Sequence, residues 1–224
     1  MNKNKQNIET VSWKVCGMRD QKNIYDVLTL APDYMGFIIY PPSSRFIEKQ
    51  DVSFLEEKWP DTVKTKRVGV FVNEDESTIL AYAKKYHFDV IQLHGTEPPS
   101  LCESLKTKGF EVFKVFGIKD EFNFEALKPY EAYVDYFLFD TKSPQHGGTG
   151  ETFDWGVLEQ YSSTKPFLLS GGLSLENIKN IRKLDHLPCK GIDVNSKFET
   201  SPAFKDIEQL KSLAEWVKSI NNKK

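Results

Sequence analysis

The sequence predicts a single (β/α)8 barrel, the TIM-barrel class, as one domain over residues 1–224. Three observations predict it: eight short apolar runs, helical spacing in the segments between several of them, and no linker or low-complexity tract. Continuously apolar runs of this kind are typical of strands buried on both faces, as in a parallel sheet covered by helices. A chain of 224 residues is also a usual length for such a barrel.

The eight apolar runs are the predicted strands. They are Ser12–Cys16, Met35–Tyr40, Arg67–Val72, Val90–Leu93, Glu111–Phe116, Tyr136–Phe139, Phe167–Leu169 and Gly191–Val194. Successive starts lie 21 to 32 residues apart, which is enough for one strand, one helix and two loops. An open doubly wound sheet is the alternative. It would usually carry a glycine-rich dinucleotide loop after its first strand, and the stretch Cys16–Asp20 does not match G-x-G-x-x-G.

Four connecting segments carry apolar residues at helical spacing. They are marked by Ile24, Val27, Leu28 and Ala31; by Ile79, Ala83 and Tyr86; by Leu175, Ile178, Ile181 and Leu184; and by the stretch from about Pro202 to Ile220. Ser77, Thr78 and Ser174 are candidate N-caps, and Pro202 is expected near the start of the last helix. A helix is less clear over residues 49–59, and the segment after Thr152 leaves room for only a short helix.

Composition argues against nucleic-acid-binding, membrane, secreted and metal-binding proteins. A formal net charge of −2 gives no electrostatic footprint for nucleic acid or an anionic membrane. No apolar stretch approaches the 18 or more residues of a membrane-spanning helix, and the N-terminus lacks the apolar run of a signal peptide. Three widely spaced cysteines without clustered histidines predict a reducing, cytoplasmic environment and no metal site. The polar ends, residues 1–10 and 221–224, are predicted to be frayed.

Polar residues are concentrated at the carboxyl ends of the predicted strands, where this barrel class builds its active site. Two glycine-containing loops, Ser170–Ser174 and Gly191–Ser196, follow the seventh and eighth strands. Backbone N–H groups in such loops form the recurrent phosphate site of these barrels, so a small phosphorylated ligand is predicted. The alternative is that Gly171 and Gly172 serve only as turn residues.

Cys16 and Asp140 are the candidate acid–base residues. Cys16 ends the first strand, where a nearby cation such as Lys14 would favour a thiolate; a buried structural cysteine is the alternative. Asp140 follows a hydrophobic strand, where partial desolvation would raise its pKa and suit it to donate a proton. A helix cap or an ion pair with Lys142 is the alternative for Asp140.

Three further features border this predicted site. Arg45 is suited to hold a substrate carboxylate bidentately, or it is a solvated loop charge. His94 is either a partner of the catalytic groups or a polar turn residue. The glycine-rich loop Ser143–Glu151 is either a lid or a surface loop.

Seven ordered strings resemble the phosphoribosylanthranilate isomerase family between about Lys14 and Glu199. They are KVCGMRD, MGFIIYPPSSRF, RVGVFVNE, VIQLHG, FLFDTKSPQHGGTGETFDW, LLSGGLSLENI and GIDVNSKFE. The resemblance implies a cofactor-free Amadori rearrangement of N-(5-phosphoribosyl)anthranilate in tryptophan biosynthesis.

The same resemblance implies roles for individual residues. Asp140 matches the general acid, Cys16 the general base, and Arg45 the anchor of the anthranilate carboxylate. The residues that match the phosphate-binding loops are Gly171, Gly172, Asn195 and Ser196, and His94 is assigned to the substrate-binding set.

The sequence departs from the family pattern at two places. Lys197 stands where the eighth-strand loop usually has glycine, and about ten additional residues precede the first strand. Other phosphate-binding barrels, such as indole-3-glycerol-phosphate synthase, lack the Cys-Gly after strand one. A non-catalytic metabolite sensor is expected to lose one member of the acid–base pair. Monomer and homodimer both remain open.

Overall fold

Eight parallel strands close into a barrel in chain order, which confirms the predicted fold class. The structure is a computed structural model and describes residues 10–119, 121–141 and 154–222. The strands are β1 Ser12–Val15, β2 Tyr34–Ile39, β3 Lys66–Phe71, β4 Val90–Leu93, β5 Glu111–Ile118, β6 Tyr136–Thr141, β7 Phe167–Leu169 and β8 Cys189–Val194. The pairing of β1 with β8 closes the barrel, and it places Lys14 opposite Asp193.

Within the described ranges, four α-helices and six short 3₁₀ helices connect and cover the strands. The α-helices are α1 Gln21–Leu28, α2 Glu76–Tyr86, α3 Pro99–Thr107 and α4 Ile207–Asn221. The 3₁₀ helices are Ile47–Lys49, Ser53–Glu56, Phe124–Tyr130, Trp155–Gln160, Ile178–Leu184 and Ser196–Phe198. A small antiparallel hairpin, β9 Glu199–Ser201 with β10 Phe204–Lys205, lies between β8 and α4.

The first two helices begin at aspartates, and for α2 this differs from the predicted caps. Asp20 caps α1, and the Asp75 carboxylate accepts the N–H of Thr78, so α2 begins before the predicted Ser77 and Thr78. Either carboxylate satisfies an otherwise unpaired N–H group of the first turn. Ala31 was predicted to continue the first helix, but it has a φ of 53° and lies beyond the end of α1.

The later helices also differ from their predicted starts. The third segment forms the 3₁₀ helix Ile178–Leu184, and the Asn177 side chain accepts the N–H of Ser174, as the reach-back residue of a capping box would. Pro202 lies in the turn between β9 and β10 and not at a helix start, and α4 is capped by Asp206. A sequence pattern cannot predict this hairpin because its two strands are only three and two residues long.

The core has two parts, one inside the barrel and one between the strands and the covering helices. The interior residues are Cys16, Tyr34, Val68, Val70, Val90, Phe113, Val115, Leu138 and Leu168. This packed interior closes the barrel below the mouth, so it is a core and not a pore. All three cysteines are buried and free, but only Cys16 belongs to the interior set.

The two ends of the barrel domain are joined by hydrogen bonds between the Asn221 side chain and the Val11 backbone. The N–H of Val11 donates to Asn221 Oδ1 at 2.7 Å, and Asn221 Nδ2 donates to the carbonyl of Val11 at 3.2 Å. Asn221 is the last residue of α4, so the fraying predicted from residue 221 does not begin there. Among the described residues, no helix has both the length and the apolar character needed to cross a membrane.

Candidate active site

The mouth of the barrel brings together the ends of β1 and β8 and the loop after β2. Gly17 has a φ of 75°, and a β-carbon there would lie 2.7 Å from Asn195 Oδ1 and 2.8 Å from Arg45 Cδ. Glycine is therefore required both by the left-handed backbone and by the close approach of these two side chains. Cys16, Arg45 and Asn195, predicted separately as site residues, are thus neighbours.

Cys16 lies beside the buried Lys14 on the inner face of β1. A β-carbon on Gly36 would be 2.7 Å from Cys16 Sγ and 3.2 Å from Lys14 Cε, so both side chains crowd the space that this glycine leaves empty. Burial raises the pKa of the Cys16 thiol, and the positive charge of Lys14, which lowers it, does not offset this. The predicted influence of Lys14 is present, but it does not by itself make the resting thiol acidic.

Asp140 combines burial with one close ionisable neighbour. Its exposed fraction is 8%, and Oδ1 accepts the backbone N–H of Thr141 at 2.8 Å. His94 Nε2 lies 3.5 Å from Asp140 Oδ2, which supports the partner role of His94 over that of a turn residue. Burial, and next the charge of Asp193, raises the pKa of Asp140 to about 7. A carboxyl group with this pKa is poised to donate a proton near neutral pH.

The loop after β7 is packed directly against Asp140. Gly171 has a φ of 85°, and a β-carbon there would lie 2.5 Å from the Thr141 nitrogen and 2.8 Å from Asp140 Oδ1. Gly172 is also left-handed, with a φ of 61°, and its carbonyl accepts from Asn177 Nδ2. Both backbone conformations favour glycine, and at Gly171 the close approach of Thr141 and Asp140 excludes a larger residue as well.

The loop after β8 leads into the 3₁₀ helix Ser196–Phe198. Asn195 immediately precedes it, and Asn195 Oδ1 accepts from Lys205 Nζ at 2.8 Å. Lys197, which replaces the family's glycine, is exposed and is not among the described residues with positive φ. This loop path therefore does not require glycine at position 197.

Arg45 is held by an acidic partner that the sequence did not reveal. Its Nε and Nη2 atoms donate to both carboxylate oxygens of Glu199 at 2.7 to 3.0 Å, so Arg45 is not a solvated loop charge. Lys205 Nζ contacts the same carboxylate at 2.5 Å, and burial lowers the pKa of Lys205 to about 8. Two cations around one carboxylate leave a net positive charge close to Asn195, which suits an anionic ligand.

Three charged residues of the mouth escaped the sequence-based assignment of roles: Asp193, Glu199 and Lys205. Asp193 was recognisable only as a polar residue at a strand end. Lys205 is buried by long-range contacts, because its backbone N–H and carbonyl pair with the side chain of Asn23. The predicted lid, Ser143–Glu151, and Lys142 lie outside the described residues.

The fold and this mouth define a TIM-barrel enzyme. A family model described as N-(5'-phosphoribosyl)anthranilate isomerase matches residues 13–216. The isomerase of Parabacteroides distasonis is 43% identical over 206 residues, covering 91% of this chain and 92% of that protein. The isomerase of Phocaeicola vulgatus is 44% identical over 193 residues, covering 86% and 91%. The chain therefore belongs to the phosphoribosylanthranilate isomerase family.

Solved structures agree with this assignment. The isomerase from Thermotoga maritima superposes with a TM-score of 0.81 at 33% identity, covering 94% of this chain and all of that one. Another isomerase structure, at 30% identity and a TM-score of 0.78 with the same coverage, holds reduced 1-(o-carboxyphenylamino)-1-deoxyribulose 5-phosphate. A third structure contains monomers generated from the dimeric Thermotoga maritima isomerase.

Proposed function

We propose that the chain converts N-(5-phosphoribosyl)anthranilate to 1-(2-carboxyphenylamino)-1-deoxy-D-ribulose 5-phosphate, with Asp140 as the general acid and Cys16 as the general base. This isomerisation is a step of L-tryptophan biosynthesis. The observation that carries the assignment of roles is a buried carboxyl and a buried thiol at one barrel mouth. Both groups are side chains of the protein, and the proposed reaction needs only proton transfers between carbon and oxygen atoms.

The first step is the opening of the ribose ring. Asp140 protonates the ring oxygen, the bond between this oxygen and C1 breaks, and the anthranilate nitrogen supplies the electron pair that forms the C1–N double bond. Burial keeps the pKa of Asp140 at about 7, so a substantial fraction carries the proton at neutral pH. His94, 3.5 Å from the same carboxyl, is placed to orient it.

The second step moves the double bond. The Cys16 thiolate removes the proton from C2, and the electron pair of that C–H bond forms a C1–C2 double bond while the iminium nitrogen becomes neutral. The resulting enolamine then loses its O2 proton and gains a proton at C1, which gives the ketone. Atoms and charge balance over the two steps, and no electron donor or acceptor is consumed.

The two anionic ends of the substrate require separate anchors. Arg45 is proposed to bind the anthranilate carboxylate, with the net positive charge of the Arg45–Glu199–Lys205 cluster supporting it. Backbone N–H groups of the loops containing Gly171, Gly172, Asn195 and Ser196 are proposed to bind the phosphate.

The family and the sequence also bear on where and in what form the enzyme works. A cytoplasmic location is proposed from the reduced cysteines and from the biosynthetic role. The enzyme is proposed to act as a monomer or a homodimer on this small phosphorylated substrate, with no nucleic acid or membrane partner.

The test is to follow the loss of substrate fluorescence with purified protein and no added cofactor. Cys16→Ala and Asp140→Asn are each expected to reduce kcat by 1,000-fold or more with the fold retained, because each removes a proton-transfer partner. Cys102→Ala is the matched control, since Cys102 is a buried residue of α3 and lies outside the barrel interior. Near-normal turnover in either catalytic variant would show that the assigned roles are wrong.

A further inference from the structure

We propose that the buried Lys14–Asp193 ion pair is a positioning device for both catalytic groups: it shifts their shared proton towards Asp140 and away from Cys16. This inference rests on the proposed roles of Cys16 and Asp140. Lys14 and Asp193 act through those two residues and not on the substrate.

The ion pair is buried in the barrel, with Lys14 beside Cys16. Lys14 Nζ is 2.8 Å from Asp193 Oδ2, and the two side chains are 0% and 5% exposed. Lys14 and Cys16 are two residues apart at the end of β1, so their side chains emerge on the same face. The position of Gly36 confirms this, because a β-carbon there would contact both of them.

The two members of the ion pair act mainly on different catalytic groups, Asp193 on Asp140 and Lys14 on Cys16. Asp193 Oδ2 is bound to Lys14, whereas Asp193 Oδ1 is buried without a hydrogen-bond partner among the described residues. After burial, the charge of Asp193 is the largest cause of the raised pKa of Asp140. After burial, the charge of Lys14 has the largest effect on the Cys16 thiol, and it acts in the opposite direction.

The cation near Cys16 and the anion near Asp140 change the balance between two arrangements of one proton. Between the two pKa values, Cys16 and Asp140 together hold a single proton. A thiol with a carboxylate cannot start the reaction, whereas a thiolate with a carboxylic acid can. A cation beside the sulfur stabilises the thiolate, and an anion near the carboxyl stabilises the acid, and both effects are strong in a dry interior. The pair therefore enriches the productive arrangement.

Other charged or polar groups also face the two catalytic residues. Lys205 acts on Cys16 in the same direction as Lys14, but it is paired with Glu199. Asp140 is faced by His94, by the backbone N–H of Thr141 and by the hydroxyl of Ser170. These groups are the same in the wild type and in the variants of Lys14 and Asp193. A difference in the titration of Cys16 or Asp140 is therefore assigned to the ion pair.

The decisive variant is Lys14→Met/Asp193→Asn, which removes both charges and keeps similar volumes. The Cys16 titration is measured as the pH dependence of iodoacetamide alkylation, with Cys16→Ser giving the background from the other cysteines. The Asp140 titration is measured by carboxyl ¹³C NMR, assigned with Asp140→Asn. We expect the thiol midpoint to rise and the carboxyl midpoint to fall, each by about one pH unit, and kcat to fall roughly 100-fold. Midpoints that stay unchanged, or that move in the same direction, overturn the inference.

A single variant covers the case in which the double variant does not fold. Asp193→Asn is nearly isosteric, and it is expected to lower both midpoints, because it removes an anion from Asp140 and frees Lys14 to act on Cys16. An Asp140 midpoint that does not fall overturns the inference, even if activity is lost. Both titrations need no substrate. Failure of the proposed function would therefore appear as turnover in Cys16→Ala or Asp140→Asn, separately from these midpoints.

Discussion

Arg45 and Glu199 form a bidentate ion pair that joins the loop after β2 to the start of the β9–β10 hairpin. Both Glu199 oxygens accept from Arg45, and the side chains of Arg45 and Glu199 are 12% and 4% exposed. The Nη1 atom takes no part in this pair, so one edge of the guanidinium stays available for a second carboxylate. The pair thus holds Arg45 in one orientation over Gly17, at the rim of the mouth.

The first prediction concerns Arg45 itself. Arg45→Lys is expected to raise KM about 10- to 100-fold, because lysine cannot bind Glu199 and a substrate carboxylate through a planar fork. The measurement compares wild type and variant with two inhibitors, a product analogue and the same analogue without its carboxyl group. The variant should weaken binding of the first and leave the second nearly unchanged. An equal loss for both inhibitors would contradict a carboxylate contact.

The second prediction separates orientation of Arg45 from its charge. Glu199→Gln keeps Arg45 but removes the carboxylate that orients it, so KM is expected to rise about tenfold with a smaller change in kcat. Steady-state kinetics at pH 7 measures both constants. Glu208→Gln is the control, because the exposed Glu208 carboxylate pairs with Lys211 at the surface, away from the mouth. A fall in KM would instead mean that Glu199 competes with the substrate for Arg45.

The third prediction follows from the raised pKa of Asp140. Its folded-state pKa, about 7, lies above its ordinary 3.8, so the folded protein holds the proton more tightly than the unfolded chain. This contribution to stability is fully present at low pH and is lost as pH rises through 7. Asn cannot ionise, so the Asp140→Asn variant does not suffer this loss. The unfolding free energy of the variant minus that of the wild type should therefore increase by about 2 kcal/mol between pH 5.5 and 8.5. Urea unfolding at the two pH values measures it, and a gain independent of pH would refute the raised pKa.

The fourth prediction tests the contact between the β7 loop and the acid. Gly171→Ala is expected to lower kcat/KM more than 100-fold, because the added β-carbon would collide with Thr141 and the Asp140 carboxyl. Gly109→Ala is a close control, since Gly109 also has a positive φ, 90°, but has no atom within 4 Å of the β-carbon position. Both variants should lose about 1 kcal/mol from backbone strain, and only Gly171→Ala should lose activity. If the two variants had similar activities, Gly171 would not contribute to the site.

The strands and their order were predictable because burial on both faces leaves an uninterrupted apolar run. The observed strand bounds agree with the predicted runs to within about two residues, and Cys16 and Asp140 lie at the mouth as their positions indicated. Helix starts were less predictable. Asp75 caps α2 where the pattern pointed to Ser77 and Thr78, since several side chains in one turn are able to cap. No cap was predicted for α1, which Asp20 caps.

The charged partners at the mouth were not predictable from local pattern. Glu199 and Lys205 lie in a polar stretch without helical or strand periodicity, and their burial depends on Arg45 and Asn23, both more than 150 residues away. Lys14 was recognised as a cation near Cys16, but its pairing with Asp193 depends on barrel closure, which joins the first strand to the last. Such contacts exist only in the tertiary structure.

The amide of Asn221 bound to the backbone of Val11 has a consequence for the connectivity of the fold. The two positions where the chain enters and leaves the barrel are in hydrogen-bonding contact, so a short glycine-serine linker would span them without strain. The order of the strands could then be rotated by opening the chain elsewhere, for example at the exposed Gly109 between α3 and β5. A circular permutant of this kind keeps every neighbour in the barrel, and its ends lie far from the mouth, at the opposite end of the strands.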